Sequence, residues 1–216
     1  MRVLAQSRAR WWAGCASAVA VAIFLSGALA ACSSAHVVAS SSEQYYASLP
    51  SSWKVFGEHS LQHDASLHAL VVVPPKFLEV ASANPRPRAA DVFTSSRYPW
   101  AIALVRPLSS AEQLQLSMEG LLDVLVPVDQ LSQMGDTVQP LSQPAEQVSG
   151  GLRGIVYSVQ LQGPSGGEIA YEQSAWVNSA TNKIWLLMVG CSPACFQAQQ
   201  SVIGNVMDSF IVRQGK

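Results

Sequence analysis

In this 216-residue chain, the residues whose spacing points most directly to a chemical role are two cysteines near the C-terminus. Cys191 and Cys195 are separated by Ser-Pro-Ala, and they can bond if Cys191 ends a strand and Cys195 lies in the first turn of a helix. A structural disulfide is therefore the favoured interpretation. The alternatives are a redox pair, which commonly has two intervening residues, and half of a zinc site, which needs two further clustered ligands.

A second pattern, residues 163–167, formally matches the Gly-x-Ser-x-Gly motif of serine hydrolases. That motif requires a strand followed by a helix, with an acid and a histidine later in the chain. Here the sequence predicts a strand after the motif, and every histidine precedes residue 69. We interpret the segment as a hairpin turn.

The histidines are themselves a candidate metal site. They are His36, His59, His63 and His68. His59 and His63 would share one face of a helix, and Glu58 and Asp64 could add oxygen ligands. Because a glycine and a strand-like run flank this segment, a solvated loop is favoured, and we predict neither a metal nor a cofactor.

The N-terminus has the layout of an export signal. Arg2, Arg8 and Arg10 precede an uncharged apolar stretch, residues 11–28. The next four residues, Leu-Ala-Ala-Cys at 29–32, resemble the bacterial lipobox. This resemblance implies cleavage before Cys32, a diacylglyceryl group on the Cys32 thiol and acylation of the new amine. The alternatives are an ordinary cleaved signal and an uncleaved helical anchor.

Composition and charge exclude several classes of protein. The chain is 49% hydrophobic and 12% charged, which is unlike a disordered tail, a collagen repeat or a multi-span membrane protein. Three of its 13 Lys and Arg residues lie in the signal, so ten basic residues face fourteen acidic ones in the remainder. A net charge of −4 repels phosphate backbones, and we predict no nucleic-acid partner.

The sequence predicts three segments. Residues 1–31 form the signal peptide, and residues 32–48, rich in Ser and Ala, form a lipid-anchored flexible spacer. Residues 49–213 form one globular domain of ordinary size. The protein is thus expected at the cell membrane, held by the Cys32 lipid on the extracytoplasmic face.

Apolar runs in the first half predict strands at 53–56, 67–73 and 100–105. A helix should follow from Ser110, because Ser109 and Glu112 form a capping box. Pro127 should end this helix. Its predicted core face is spaced at helical intervals: Leu114, Met118, Leu121, Leu122 and Leu125.

The second half predicts an antiparallel meander with strands at 155–161, 169–177 and 184–189. The third strand has no polar alternation, so both of its faces should be covered. A terminal helix with Ser192 as N-cap and Pro193 at its first position should supply one cover, and the helix from Ser110 the other. The predicted fold class is α+β, a mostly antiparallel sheet sandwiched between helices.

Several short segments resemble the PsbP-like superfamily. They are Leu-Pro-Ser-Ser-Trp at 49–53, the capped helix, the meander, and Ile-Gly-Asn-Val-Met-Asp-Ser-Phe at 203–210. That group includes extrinsic photosystem II proteins, a small nuclear-import factor and many actinobacterial envelope lipoproteins. The resemblance implies a PsbP-like domain in a bacterial, actinobacterial lipoprotein, and it implies a fold without a function.

Aromatic side chains on predicted strands are the remaining candidates for a binding surface. We single out Trp100 and Trp176 as ligand or partner contacts. The predicted function is noncatalytic: a binding or accessory module for a partner protein or a cell-envelope ligand. The alternatives are an envelope hydrolase whose site is assembled from dispersed residues, and a carrier of a small apolar ligand.

Overall fold

The computed structural model describes residues 35–40, 42–57, 61, 77–128, 131, 137–163 and 166–213. They belong to the second of the two units into which the chain divides, Ser33–Lys216. The strands are β1 His36–Ser40, β2 Tyr45–Leu49, β3 Lys54–Phe56, β4 Phe77–Ser82, β5 Trp100–Pro107, β6 Val138–Pro140, β7 Ala145–Ser149, β8 Leu152–Gln162, β9 Glu168–Asn178, β10 Lys183–Cys191 and β11 Ile211–Val212. The helices of the described residues are α1 Ser110–Gln115, α2 Pro193–Ala198 and α3 Gln200–Asp208.

Within the described part of the chain, the strands form two antiparallel sheets. The large sheet has eight strands in the order β3-β4-β5-β10-β9-β8-β6, with β7 also paired to β8. The small sheet has the order β1-β2-β11. The predicted meander is confirmed, since β8, β9 and β10 pair in sequence and each includes one of the predicted strands. The predicted strand at 100–105 lies within β5, and the one at 67–73 lies outside the described residues.

Strand β10 is buried on both faces, as its apolar sequence predicts. Ile184, Leu186 and Met188 point into one hydrophobic cluster. Trp185 and Leu187 point into a second cluster on the other side of the large sheet. Two separate covers are therefore needed, one for each face.

The second cluster is covered by the C-terminal helices and by the small sheet. Ser192 caps α2 by accepting a hydrogen bond from the Cys195 amide, and Pro193 occupies the first turn, as predicted. Helix α3 contributes buried apolar residues that include Ile203 and Val206. The small sheet adds four more buried residues: Val38, Tyr45, Ala47 and Leu49.

The prediction of a flexible spacer at residues 32–48 is corrected by the structure, because most of this segment lies in two strands. Residues 36–40 and 45–49 form β1 and β2, and β2 also pairs with β11 near the C-terminus. The backbone of Ser48 donates to the Ser209 side chain at 2.8 Å. The Ser and Ala content is typical of a linker, but the buried Tyr45, Ala47 and Leu49 alternate with the exposed Tyr46 and the partly exposed Ser48 and cover the large sheet.

The long helix predicted from Ser110 is also wrong in extent. The capping box of Ser109 and Glu112 forms, and Glu112 additionally pairs with Arg106. The α-helix, however, ends at Gln115, and Leu114 is 89% exposed. A 3-10 turn follows at Glu119–Leu121. The prediction of a sheet sandwiched between helices therefore overstates the helical content.

Buried polar side chains of the large sheet hold the segment that follows α1. The Gln173 amide donates to the carbonyl of Leu121 at 2.9 Å. The Tyr157 hydroxyl donates to the carbonyl of Leu122 at 2.8 Å. Two carbonyls of this segment are thus held by side chains of the sheet, while Leu121 and nearby apolar residues cover the first cluster.

Among the described residues, no helix combines the length and apolar character that crossing a bilayer would need.

Gln173→Ala should reduce the free energy of unfolding by about 2 kcal/mol, because it leaves a buried carbonyl without its donor. Urea unfolding of the processed domain measures the change. Gln147→Ala is the matched control, since Gln147 lies exposed on β7. Equal losses in the two variants would contradict the role assigned to Gln173.

Candidate functional site

The two tryptophans predicted as contact residues are buried, which corrects that prediction. Trp100 is fully buried; its ring lies 5.3 Å from that of Phe93, and its indole donates to the Thr94 carbonyl. Trp176 is 9% exposed and packs so closely over Gly154 that a Cβ there would lie 2.5 Å from the ring. The strands that carry them have covered faces, so both side chains belong to the core.

Cys191 and Cys195 lie at disulfide distance, with their Cα atoms 5.9 Å apart. The first ends β10 and the second lies in the first turn of α2, which is the geometry that the spacing favours. The pair therefore ties the buried strand to the helix that covers it. Cys32 lies outside the described residues.

Of the histidines, the structure describes His36, whose ring nitrogen lies 3.4 Å from the Trp53 carbonyl. His59, His63 and His68 lie outside the described residues. No group of three or more potential metal ligands occurs in the part of the chain that the structure describes. The Gly-x-Ser-x-Gly segment connects β8 to β9, and Gly163 and Gly167 are joined by a backbone hydrogen bond.

A groove that we call the polar groove lies between β8, β9 and helices α2 and α3. Its volume is about 360 Å³. The groove exists because the helices pack on β9 and β10, while Ser158 and Gln160 on β8 stay partly exposed. The full lining is Leu141, Ser158, Gln160, Ala170, Glu172, Pro193, Phe196, Gln197, Gln200 and Ile203.

Glu172 is the charged member of this lining. It sits opposite Ser158 in the β8–β9 register and next to Val189 of β10. Burial raises the pKa of its carboxyl group, and the negative charge of Asp208 raises it further. The described lining residues supply amides, a hydroxyl and a carboxyl group, with neither histidine nor cysteine. Such a set can bind polar or cationic groups through hydrogen bonds.

A second concavity, the small-sheet groove, has a volume of about 680 Å³. It lies along the small sheet and is mostly apolar. Its lining is Ala39, Ser40, Gln44, Tyr45, Tyr46, Ile211 and Arg213.

Beneath the small sheet, the described residues leave little empty space. The space that includes Val38, Leu49 and Leu187 in its lining has a volume of about 10 Å³, which is room for at most one water molecule. Glu79 also borders it, and burial raises the pKa of that carboxyl group. A small apolar ligand does not fit there.

Comparison with known proteins supports the fold. No family model and no curated protein matches the chain. The solution structure of cyanobacterial PsbP (CyanoP) from Synechocystis sp. PCC 6803 matches with a TM-score of 0.54 at 12% identity, covering 92% of this chain and 98% of that one. The chain therefore has a PsbP-like fold, as the sequence motifs imply.

Two further solved structures are similar at lower scores. The Ran-binding protein Mog1p of Saccharomyces cerevisiae has a TM-score of 0.46 at 12% identity, covering 82% of this chain and 95% of that one. LpqN, involved in cell envelope biogenesis of Mycobacterium tuberculosis, has a TM-score of 0.47 at 10% identity, covering 83% of this chain and 91% of that one.

Neither groove is predicted from the sequence. Glu172, Gln160 and Gln200 come from three separate elements, so their proximity has no local signal. The alternation of Ser158, Gln160 and Gln162 with apolar residues was the available hint that one face of β8 is polar. For the small-sheet groove, the hint was a Tyr-Tyr pair at 45–46 in a segment otherwise rich in Ser and Ala.

The raised pKa of Glu172 predicts a pH dependence of stability. The folded state holds the Glu172 proton more tightly than the unfolded state, so ionisation lowers the free energy of unfolding as pH rises above the ordinary glutamate pKa. Glu172→Gln should therefore be as stable as the wild type near pH 4 and more stable at pH 7.

Urea unfolding at both pH values measures this difference. Glu168→Gln is the control, because Glu168 lies exposed at the start of β9. A Glu172→Gln effect that is equal at the two pH values, or destabilising at pH 7, would contradict the assignment.

Proposed function

We propose that this protein is a bacterial envelope lipoprotein, anchored through Cys32 on the extracytoplasmic face of the membrane, that binds a partner protein or envelope ligand without catalysing a reaction. The observation that carries the binding role is the polar groove, in which Gln160, Glu172, Gln197 and Gln200 converge from one sheet and two helices. The lipobox-like segment at 29–32 supports the location.

The lining of the groove favours a partner with hydrogen-bond donors or positive charge. Glu172 is its charged side chain, and Asp208 adds a second negative charge close enough to affect the Glu172 pKa. Phe196 and Ile203 add apolar contact area beside these polar groups. A basic side chain of a partner protein, or the hydroxyl and amide groups of an envelope glycan, matches this chemistry.

Anchoring through Cys32 is tested by Cys32→Ser in the full chain expressed in bacteria. The variant should lose the lipid and retain its signal peptide, because thioether formation on Cys32 precedes cleavage. Membrane fractionation and intact mass measure both effects. Cys15→Ser is the matched control, since that cysteine lies in the apolar part of the predicted signal and should leave processing unchanged. A Cys32→Ser protein that keeps its processed mass and its membrane fraction would refute the anchor.

The binding role is tested by a photo-crosslinking amino acid at position 197, which is exposed at the polar groove, in intact cells. We expect a defined adduct at this position that weakens when Glu172→Ala is added. The same amino acid at position 147, exposed on β7, is the control. Identical adducts at the two positions, or no dependence on Glu172, would count against the groove as the binding site.

A further inference from the structure

The outward side of the small sheet, which we call the outer face, carries exposed apolar side chains on all three strands. Val37 on β1 is 53% exposed, Tyr46 on β2 is 39% exposed and Ile211 on β11 is 46% exposed. Ala39 pairs with Tyr46, and Tyr46 pairs with Ile211, so Ala39, Tyr46 and Ile211 form a continuous row across the sheet, and Val37 lies two residues from Ala39 on the same strand. The three residues of this row also line the small-sheet groove.

The charge of this surface differs from that of the rest of the domain. Residues after the predicted signal carry a formal net charge of −4. The described residues that line the small-sheet groove, however, include one charged side chain, the basic Arg213, and no acidic side chain. An apolar row with a tyrosine and an adjacent arginine suits the interface of a membrane with anionic phospholipids.

The position of the outer face along the chain supports the same occupant. Cys32 precedes the first residue of β1, His36, by four residues. Fully extended, this connection spans about 14 Å. The headgroup layer of a leaflet is roughly 5–7 Å thick, and a domain of this size has a radius of gyration of about 15 Å. A lipid on Cys32 would therefore hold the start of β1 next to the headgroups.

We propose that the outer face lies against the headgroup region of the leaflet that holds the Cys32 lipid. This inference rests on the proposed lipid anchor. The short tether keeps the outer face at high local concentration near the bilayer, so Val37, Tyr46, Ile211 and Arg213 need contribute only modest individual affinities. The domain is then oriented on the membrane rather than freely suspended above it.

The test uses the mature lipidated protein, which begins at Cys32 and carries Tyr46→Cys, in vesicles of phosphatidylethanolamine and phosphatidylglycerol. The new cysteine is labelled with a fluorophore sensitive to polarity, since Cys32 would hold lipid and Cys191 is at disulfide distance from Cys195. Headgroup-attached spin labels in the vesicles should quench this fluorophore roughly twofold or more, because the interface lies within their reach. Val148→Cys is the control, since Val148 is 78% exposed on β7 and should stay unquenched.

Intact mass of the same samples separates the possible failures. A lipidated protein whose label at position 46 is unquenched would overturn the membrane contact and leave the anchor standing. Protein without lipid would overturn both the anchor and the contact. A label that is shielded but unquenched, with crosslinks between two copies, would show that a second copy of the chain covers the outer face and would likewise overturn the proposal.

Discussion

Burial of both faces of β10 is the constraint from which the rest of the architecture follows. One face is covered by the segment around the 3-10 turn. Gln173 and Tyr157 donate hydrogen bonds to carbonyls of this segment and hold it against the sheet. The other face is covered by α2 and α3 together with β1 and β2. Full burial of a side chain such as that of Val38 or Leu49 contributes about 1.5–3 kcal/mol, which favours folded strands over a flexible linker here.

Recruitment of β1 and β2 has a consequence for function. It moves the start of the folded domain to within four residues of Cys32, so a lipid there would orient the domain instead of merely retaining it. The polar groove is built from other elements, β8, β9, α2 and α3, and does not share its lining with the small-sheet groove. Anchoring and binding can therefore use separate surfaces of one domain.

The parts of the fold that sequence analysis predicted are those determined by local patterns. Alternating residues in β8, the unbroken apolar run of β10 and the Ser-Pro start of α2 are each signals within about ten residues. The spacing of Leu114 and Leu121 is also a local pattern, yet the α-helix ends at Gln115, and the carbonyl of Leu121 is bonded by Gln173, more than fifty residues later. Burial of Trp100 and the composition of both grooves likewise depend on strands that are distant in sequence.

The central claim is that a domain of PsbP-like fold is held directly at the membrane by its own first mature residue. Mass spectrometry of the N-terminal peptide from the membrane-extracted protein tests it most directly. The account predicts a peptide that begins at Cys32 and carries a diacylglyceryl group. A peptide that begins upstream of Cys32, or one that begins at Cys32 with an unmodified thiol, would contradict the claim.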